Sequence, residues 1–279
     1  MKKSILNRSV LGPALLLLTV LVVILSVWGP ETLAQYTDRR ILDQIRTQEE
    51  ETGGEGYRYQ LSSNEKLYIL SQCLNAQSQP ETEQSARIRA VDASYQDLTG
   101  TYAFVINHNG PSGKEITDEE IYETANKGIA ALKESGILPE DIREIQAASY
   151  EATLYSAIDV PEPRNNVAVW KLSLSGSLQN ANKENRLIDA YVDADDGKIY
   201  EFYVRAQIKW EDIDPDTLIE RWSAYMGLPA PEAYETDNPL LETTPYYKKY
   251  VFSGNGEERT IVTVGFYEGI NELFLKISR

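Results

Sequence analysis

The sequence is poor in the side chains on which most catalytic and metal sites depend. Its 279 residues include one His, one Cys and two Met. A catalytic triad needs a histidine beside a nucleophile, and structural zinc sites need several Cys or His ligands. His108 lies in the turn HNGPSG with no Ser or Cys motif around it, and Cys73 has no second cysteine with which to form a disulfide. The sequence therefore predicts no catalytic residue and no cofactor.

Basic residues are also few. The chain has 27 Lys and Arg against 43 Asp and Glu, a formal net charge of −16. Because phosphate binding needs clustered cations, this balance argues against a nucleic-acid partner. Residues 1–30 hold three basic residues and no acidic one, which leaves 24 basic and 43 acidic residues, a charge of −19, for the rest. The chain therefore consists of a basic N-terminal segment and a strongly acidic remainder.

One long apolar run lies at the junction of these parts. It has 19 uncharged residues, beginning with Val10 and ending with Trp28. As a helix it would measure ~28 Å, close to the ~30 Å hydrocarbon core of a bilayer. Basic residues before it and acidic residues after it predict a single-pass anchor with a cytoplasmic N-terminus and an extracellular C-terminal domain. The alternative is a secreted protein, cleaved near Ala34 at a poor recognition site.

Composition and hydrophobic pattern divide the chain further. Residues 49–56, EEETGGEG, are typical of a flexible, solvated hinge. After the hinge, capping-box patterns precede helical stretches, and runs of alternating polar and apolar residues predict strands. The predicted divisions are a basic cytoplasmic segment (1–9), the anchor (10–28), a stalk (29–56), a first α+β unit (57–209) and a second, smaller α+β unit (210–279).

The predicted fold class is α+β, with antiparallel sheets each packed by helices after the N-terminal transmembrane helix. Thr117-x-x-Glu120 and Asp214-Pro215 begin the two clearest helices. Each helix is followed by a meander of strands, and a tight hairpin at 195–197 joins two of them. In the strand at 166–175, apolar side chains such as Trp170 alternate with polar ones, so we expect one face of the sheet to be exposed to solvent.

Residues 117–206 resemble a PepSY domain, a small α+β module of peptidase propeptides and membrane-tethered bacterial ectodomains. The similarity is carried by the helix TDEEIYETANKGIAAL, the strand VAVWKLSL and the hairpin LIDAYVDADDGKIY. It covers about a third of the chain. The resemblance implies an envelope protein that binds or restrains a peptidase or tunes a signalling partner without catalysis of its own. The family has no defined catalytic set, so the resemblance implies no site residue.

The hairpin also carries a cluster of acids that could begin a calcium loop. Asp193, Asp195 and Asp196 precede Gly197, and calcium is held by several converging carboxylates. The EF-hand spacing is not met, because the glycine comes one residue early and Glu201 cannot fill the last position. The two interpretations are a plain hairpin turn and a weak calcium site.

Tyrosine, in contrast, is abundant. The chain has 18 Tyr, several of them in predicted strands. Most fit half-buried packing, but tyrosine is enriched in protein interfaces, and Tyr191 and Tyr203 point to the predicted outer faces. We therefore expect a binding or regulatory module whose sheet face or edge takes up an envelope protein or peptide. The alternatives are an acidic structural or cation-binding surface protein and an uncharacterised carboxylate-dependent hydrolase.

Overall fold

The computed structural model describes residues 58–78, 100–176, 178, 184–235, 246–254, 256 and 258–277, all within the unit Glu55–Arg279. The predicted basic segment, anchor and stalk and the alternative cleavage point at Ala34 lie outside these residues. Within the described ranges, no helix has the length and apolar character needed to cross a membrane.

Three α-helices are described: α1 (Ser63–Ser78), α2 (Ile121–Glu134) and α3 (Pro215–Met226). The predicted capping box before α2 is present, because Thr117 N–H donates to the Glu120 carboxylate (3.2 Å) and Glu120 N–H donates to Thr117 Oγ1 (3.3 Å). The Asp214 carboxylate caps α3 through two backbone N–H groups, and Gly227 ends it with φ at 72°. Local sequence signals thus set the helix ends.

Nine strands lie in the same described ranges: β1 (Tyr102–Ile106), β2 (Tyr150–Asp159), β3 (Asn166–Leu174), β4 (Arg186–Asp193), β5 (Ile199–Arg205), β6 (Glu232–Ala233), β7 (Tyr247–Ser253), β8 (Arg259–Tyr267) and β9 (Glu272–Lys276). They form one sheet in the order β1-β2-β3-β4-β5-β9-β8-β7-β6. Every pair is antiparallel, and the predicted hairpin at 195–197 joins β4 to β5.

The prediction of separate antiparallel sheets, each packed by helices, is wrong. Strand β5 of the first predicted unit pairs with β9 of the second, for example Phe202 with Leu275, and this pairing joins all strands into a single sheet. The physical reason is that the last strand of each meander would otherwise expose a row of unpaired backbone groups. The boundary predicted between residues 209 and 210 stays a prediction, although strands from both sides of it share the sheet.

The main core lies between the three helices and one face of this sheet. In α3, Trp222 packs edge-to-face on Phe252 of β7 with ring centroids 5.7 Å apart, and its indole N–H donates to Ile199 O. In α1, Cys73 lies against Ile158 of β2. The alternating apolar side chains predicted in the strand at 166–175, Trp170 among them, are buried here. Alternation in each strand therefore leaves the other face for a second set of side chains.

Candidate functional site on the open face of the sheet

The face opposite the helices, here called the open face, carries rows of paired side chains. In β3, β4 and β5 the cross-strand neighbours Lys171, Tyr191 and Glu201 form one row. A second row, across β5, β9, β8 and β7, consists of Tyr203, Phe274, Gly265 and Tyr247. Directly paired residues of antiparallel strands point to the same face, so these side chains lie side by side. None of the three described helices covers them.

Three aromatic rings form a column across the second row. The ring centroids of Tyr203 and Phe274 are 5.8 Å apart at 21°, and those of Phe274 and Tyr267 are 4.6 Å apart at 27°. The middle ring, Phe274, is only 6% exposed, whereas Tyr267 at the end of the column is 49% exposed. Each such pair contributes about 0.5–1.5 kcal/mol beyond area burial. The column therefore combines a fixed centre with an accessible end.

A missing side chain makes room for this column. A Cβ on Gly265 would lie 2.3 Å from Cζ of Phe274, far closer than carbon atoms can approach. Glycine in the interior of a strand lowers its stability, but it marks places where another group approaches the backbone closely. At this position the approaching group is the central ring of the column.

We expect Gly265→Ala to destabilise the protein by about 1–3 kcal/mol, because the added methyl group overpacks against Phe274 and displaces its ring. Gly269→Ala is the matched control, since a Cβ there meets nothing within 4 Å. Urea unfolding of the full chain of each variant in the same detergent, followed by tryptophan fluorescence, measures the two free energies of unfolding. Equal free energies of unfolding for the two variants would contradict the packing role of Gly265.

A second aromatic cluster lies toward the β1 end of the open face. Phe104 and Tyr155 stack with centroids 4.7 Å apart at 3°, and Phe104 meets Tyr191 edge-on at 5.8 Å. The ammonium group of Lys171 lies 5.9 Å from the centroid of the Tyr191 ring, within the range of a cation–π contact. The open face thus has two aromatic clusters, one over β1, β2 and β4 and the other over β5, β9 and β8.

A buried carboxyl group lies between the two clusters. Glu201 is 4% exposed, and its Oε2 accepts a hydrogen bond from the backbone N–H of Ile277 (3.0 Å). Burial raises the pKa of Glu201 to about 7, while the Ile277 N–H, Lys276, a hydrogen bond with Tyr203 and Lys171 act in the opposite direction. Such a carboxyl group changes charge near neutral pH.

The exposed end of the column opens into a groove of about 670 Å³. The groove is lined by Tyr246, Tyr247, Lys249, Thr263, Phe266, Tyr267, Glu268, Gly269, Ile270, Phe274 and Lys276. Its wall is mostly aromatic and aliphatic, with a few charged groups, which is the usual character of a ligand site. Tyr246 and Ile270 are among the most exposed large apolar side chains in the described ranges.

The two predicted contact tyrosines are placed on this face. Tyr191 belongs to the second cluster and Tyr203 begins the column. Burial raises the pKa of both hydroxyl groups above the ordinary value for tyrosine. The two residues are half-buried and lie on neighbouring strands, and their part in partner binding stays a prediction.

The acids of the hairpin lie elsewhere, beside the helices. Asp193 is 1% exposed and accepts hydrogen bonds from Lys66 Nζ (2.9 Å) and the Tyr200 hydroxyl (2.6 Å). Asp195 also contacts Lys66 (2.7 Å). Burial alone would lower the pKa of Lys66, but the two carboxylates raise it above its ordinary value. The hairpin acids therefore hold α1 against the sheet through Lys66, which lies far from them in the sequence.

The remaining residues considered from the sequence are Asp196, His108 and Cys73. Asp196 accepts a hydrogen bond from Lys198 N–H (3.0 Å) within the turn. In the described ranges, no three His, Cys, Asp or Glu side chains are grouped as a metal site requires. His108 lies in the turn after β1, as predicted. Cys73 is buried, and burial raises the pKa of its thiol to about 12.

Glu201, Phe274 and Gly265 were not predicted from the sequence as parts of this site. Glu201 stands two residues before Tyr203 and so had to share its face, a signal that alternation already contained. The other two residues are recognised only when β9 is placed between β5 and β8.

The fold and site together define a class only broadly: an antiparallel nine-stranded sheet with helices on one face and an aromatic, charged surface on the other. Comparison with protein-family models, with curated proteins and with solved structures finds no match to this chain.

Proposed function

We propose that the chain is a membrane-anchored extracytoplasmic binding module that engages an envelope protein or peptide through the open face, without catalysis. The apolar stretch 10–28 would act as the anchor. Holding the module at the membrane raises the effective concentration of a membrane partner, so a modest affinity suffices. The PepSY resemblance of residues 117–206 supports a peptidase or a signalling protein as the partner.

The observation that carries the proposal is the half-exposed end of the aromatic column. Aromatic side chains are enriched in protein interfaces, where they supply large contact areas at a low entropic cost. Phe274 is fixed between two rings, so the surface presented by Tyr267 is ordered before a partner arrives. A preformed site of this kind loses less conformational entropy on binding than a mobile one.

Site-specific photo-cross-linking tests the proposal. A p-benzoylphenylalanine residue is placed at Tyr267 on the open face or at Glu123, an exposed position of α2. Irradiation of native membranes should give a discrete protein or peptide adduct from position 267 and none from position 123. Mass spectrometry identifies the adduct. Adducts of equal yield from both positions, or no adduct from position 267 in membranes that contain the protein, would contradict the proposal.

A further inference from the structure

Strand β1 forms one edge of the sheet, and half of its backbone groups face away from its neighbour β2. Among the described strands, none lies beyond β1. Asn107 N–H donates to Leu154 O (2.9 Å) just after the strand. Hydrogen-bonded pairs alternate with non-hydrogen-bonded ones along an antiparallel ladder, so residues 103 and 105 also bond with β2. The backbone N–H and C=O groups that point away from β2 belong to Tyr102, Phe104 and Ile106.

This edge lacks the features that normally keep another strand from pairing. Its outward backbone groups have no hydrogen-bond partner within the described ranges. Natural edge strands commonly carry a charged residue, a proline or a bulge. The sequence of β1, YAFVI, contains no charge and no proline, and its register with β2 runs without a shift. Ile106 is 47% exposed. The edge is therefore a template on which a further strand can pair.

A second copy of β1 is the complement of this edge. In an antiparallel pair centred on Phe104, the two Phe104 residues lie opposite each other and Tyr102 lies opposite Ile106 of the second copy. Each opposed pair exchanges both of its N–H···O bonds, so every outward backbone group of both strands finds a partner. Cross-strand aromatic and aromatic–β-branched pairs are favourable, and the exposed side chain of Ile106 gains an aromatic neighbour. Both strands are uncharged, so no charge is buried between them.

We propose that the chain forms a twofold-symmetric dimer in which β1 pairs antiparallel with β1 of a second copy and joins the two sheets edge to edge. A twofold interface uses the same surface of both subunits, as this pairing does. Opposed residues of antiparallel strands point to the same face, so the two open faces become one continuous surface. The charge of −19 on residues 31–279 does not prevent this contact, because charges more than about 8 Å apart are screened at physiological salt. The inference goes beyond the proposed function and does not depend on it.

Disulfide trapping of the full chain tests the register, in enough detergent that most micelles are empty and two copies do not share one by chance. Opposed Cα atoms of a hydrogen-bonded pair are about 5.5 Å apart, which a disulfide can span. Phe104→Cys should therefore give a covalent dimer on mild oxidation. Ile106→Cys should not, because its two copies would be about 14 Å apart. The wild type is the blank, since Cys73 is buried. Equal yields from the two variants would overturn the proposal.

A second measurement keeps the Phe104 ring in place, in case its loss unfolds the first variant. A p-benzoylphenylalanine residue at the exposed position Ile106 should give, on irradiation, an adduct with twice the mass of the chain. Peptide mapping should locate the new bond near Tyr102 of the second copy. The same residue at Glu123 on α2 is the control and should give no such adduct. An adduct of position 106 with a different protein, or none with a second copy, would overturn the proposal.

Discussion

Replacing Lys66 with methionine should destabilise the protein by about 3 kcal/mol. The variant keeps the apolar stem of the side chain and removes the ammonium group, so Asp193 is left as a buried carboxylate without its ionic partner. Breaking a buried ion pair in this way costs about 3–5 kcal/mol. The Lys66 side chain is 15% exposed, so water can reach the site and we expect the lower end of that range. Urea unfolding of the full chain in detergent measures the loss.

Lys127→Met is the matched control, because Lys127 pairs with Glu123 on the exposed surface of α2 (2.8 Å). Such a pair contributes about 0.3–0.5 kcal/mol. The double variant Lys66→Met and Asp193→Asn removes both charges and should recover about half of the loss. If Lys66→Met unfolds at the same urea concentration as Lys127→Met, the ion pair does not hold α1 on the sheet.

The individual strands could be predicted from the sequence because alternation is a local property. In β3 the apolar positions 168, 170, 172 and 174 recur every second residue, and Trp170 is buried as this pattern predicts. The helix ends were equally local, as Thr117 and Asp214 show. These signals act within a few residues, so no knowledge of distant contacts was needed.

The pairing of β5 with β9 could not be predicted in the same way. Phe202 and Leu275 are buried and apolar in either arrangement, with two sheets or with one. Whether two meanders form separate sheets or one sheet depends on which edge strands pair. The alternation within a strand does not determine which strand it pairs with. Two repeated orders of helix and strands therefore suggested two sheets, while the structure joins them at this pair.

The candidate site shows the same limit. Alternation placed Tyr191 and Tyr203 on the outer face, but the contact between Tyr191 and Glu201 depends on a shift of register in the β4–β5 hairpin. Val192 pairs with Ile199, whereas Tyr191 pairs with Glu201, so one extra residue, Tyr200, is accommodated between them. As the extra residue, Tyr200 lies on the helix side of the sheet, where its hydroxyl donates to Asp193.

Asp193 was considered as a weak calcium ligand because it precedes Gly197 together with Asp195 and Asp196, and the local sequence does not contain its lysine partner. Lys66 is 127 residues away along the chain, and only the docking of α1 brings it to the hairpin. A cluster of acids satisfied by cations and a hydroxyl has different chemistry from one that awaits a metal. The structure shows Asp193 bound to Lys66 and Tyr200, and the weak calcium site stays a prediction.

Glu201→Gln should remove a pH dependence of stability that the wild-type chain shows between pH 5 and 8. Burial raises the pKa of Glu201 from 4.5 to about 7, so the folded state binds its proton more tightly than the unfolded state. The stabilising contribution is complete below pH 4.5 and is lost as the pH rises through 7. From the two pKa values, the loss between pH 5 and 8 is about 2–3 kcal/mol. Unfolding of both proteins across this range measures it.

The charged and titratable groups around Glu201 make this comparison interpretable. Lys171, Lys276, Tyr191 and Tyr203 face it from β3, β9, β4 and its own strand, and burial raises the pKa of both tyrosines, which stay neutral over this range. Other carboxyl groups titrate equally in the two proteins, so the difference between them isolates position 201. Glu123→Gln, at the exposed surface of α2, should show the wild-type dependence. If the stability of Glu201→Gln and of the wild type changes with pH in the same way, water reaches the carboxyl group and its pKa is not raised in the folded state.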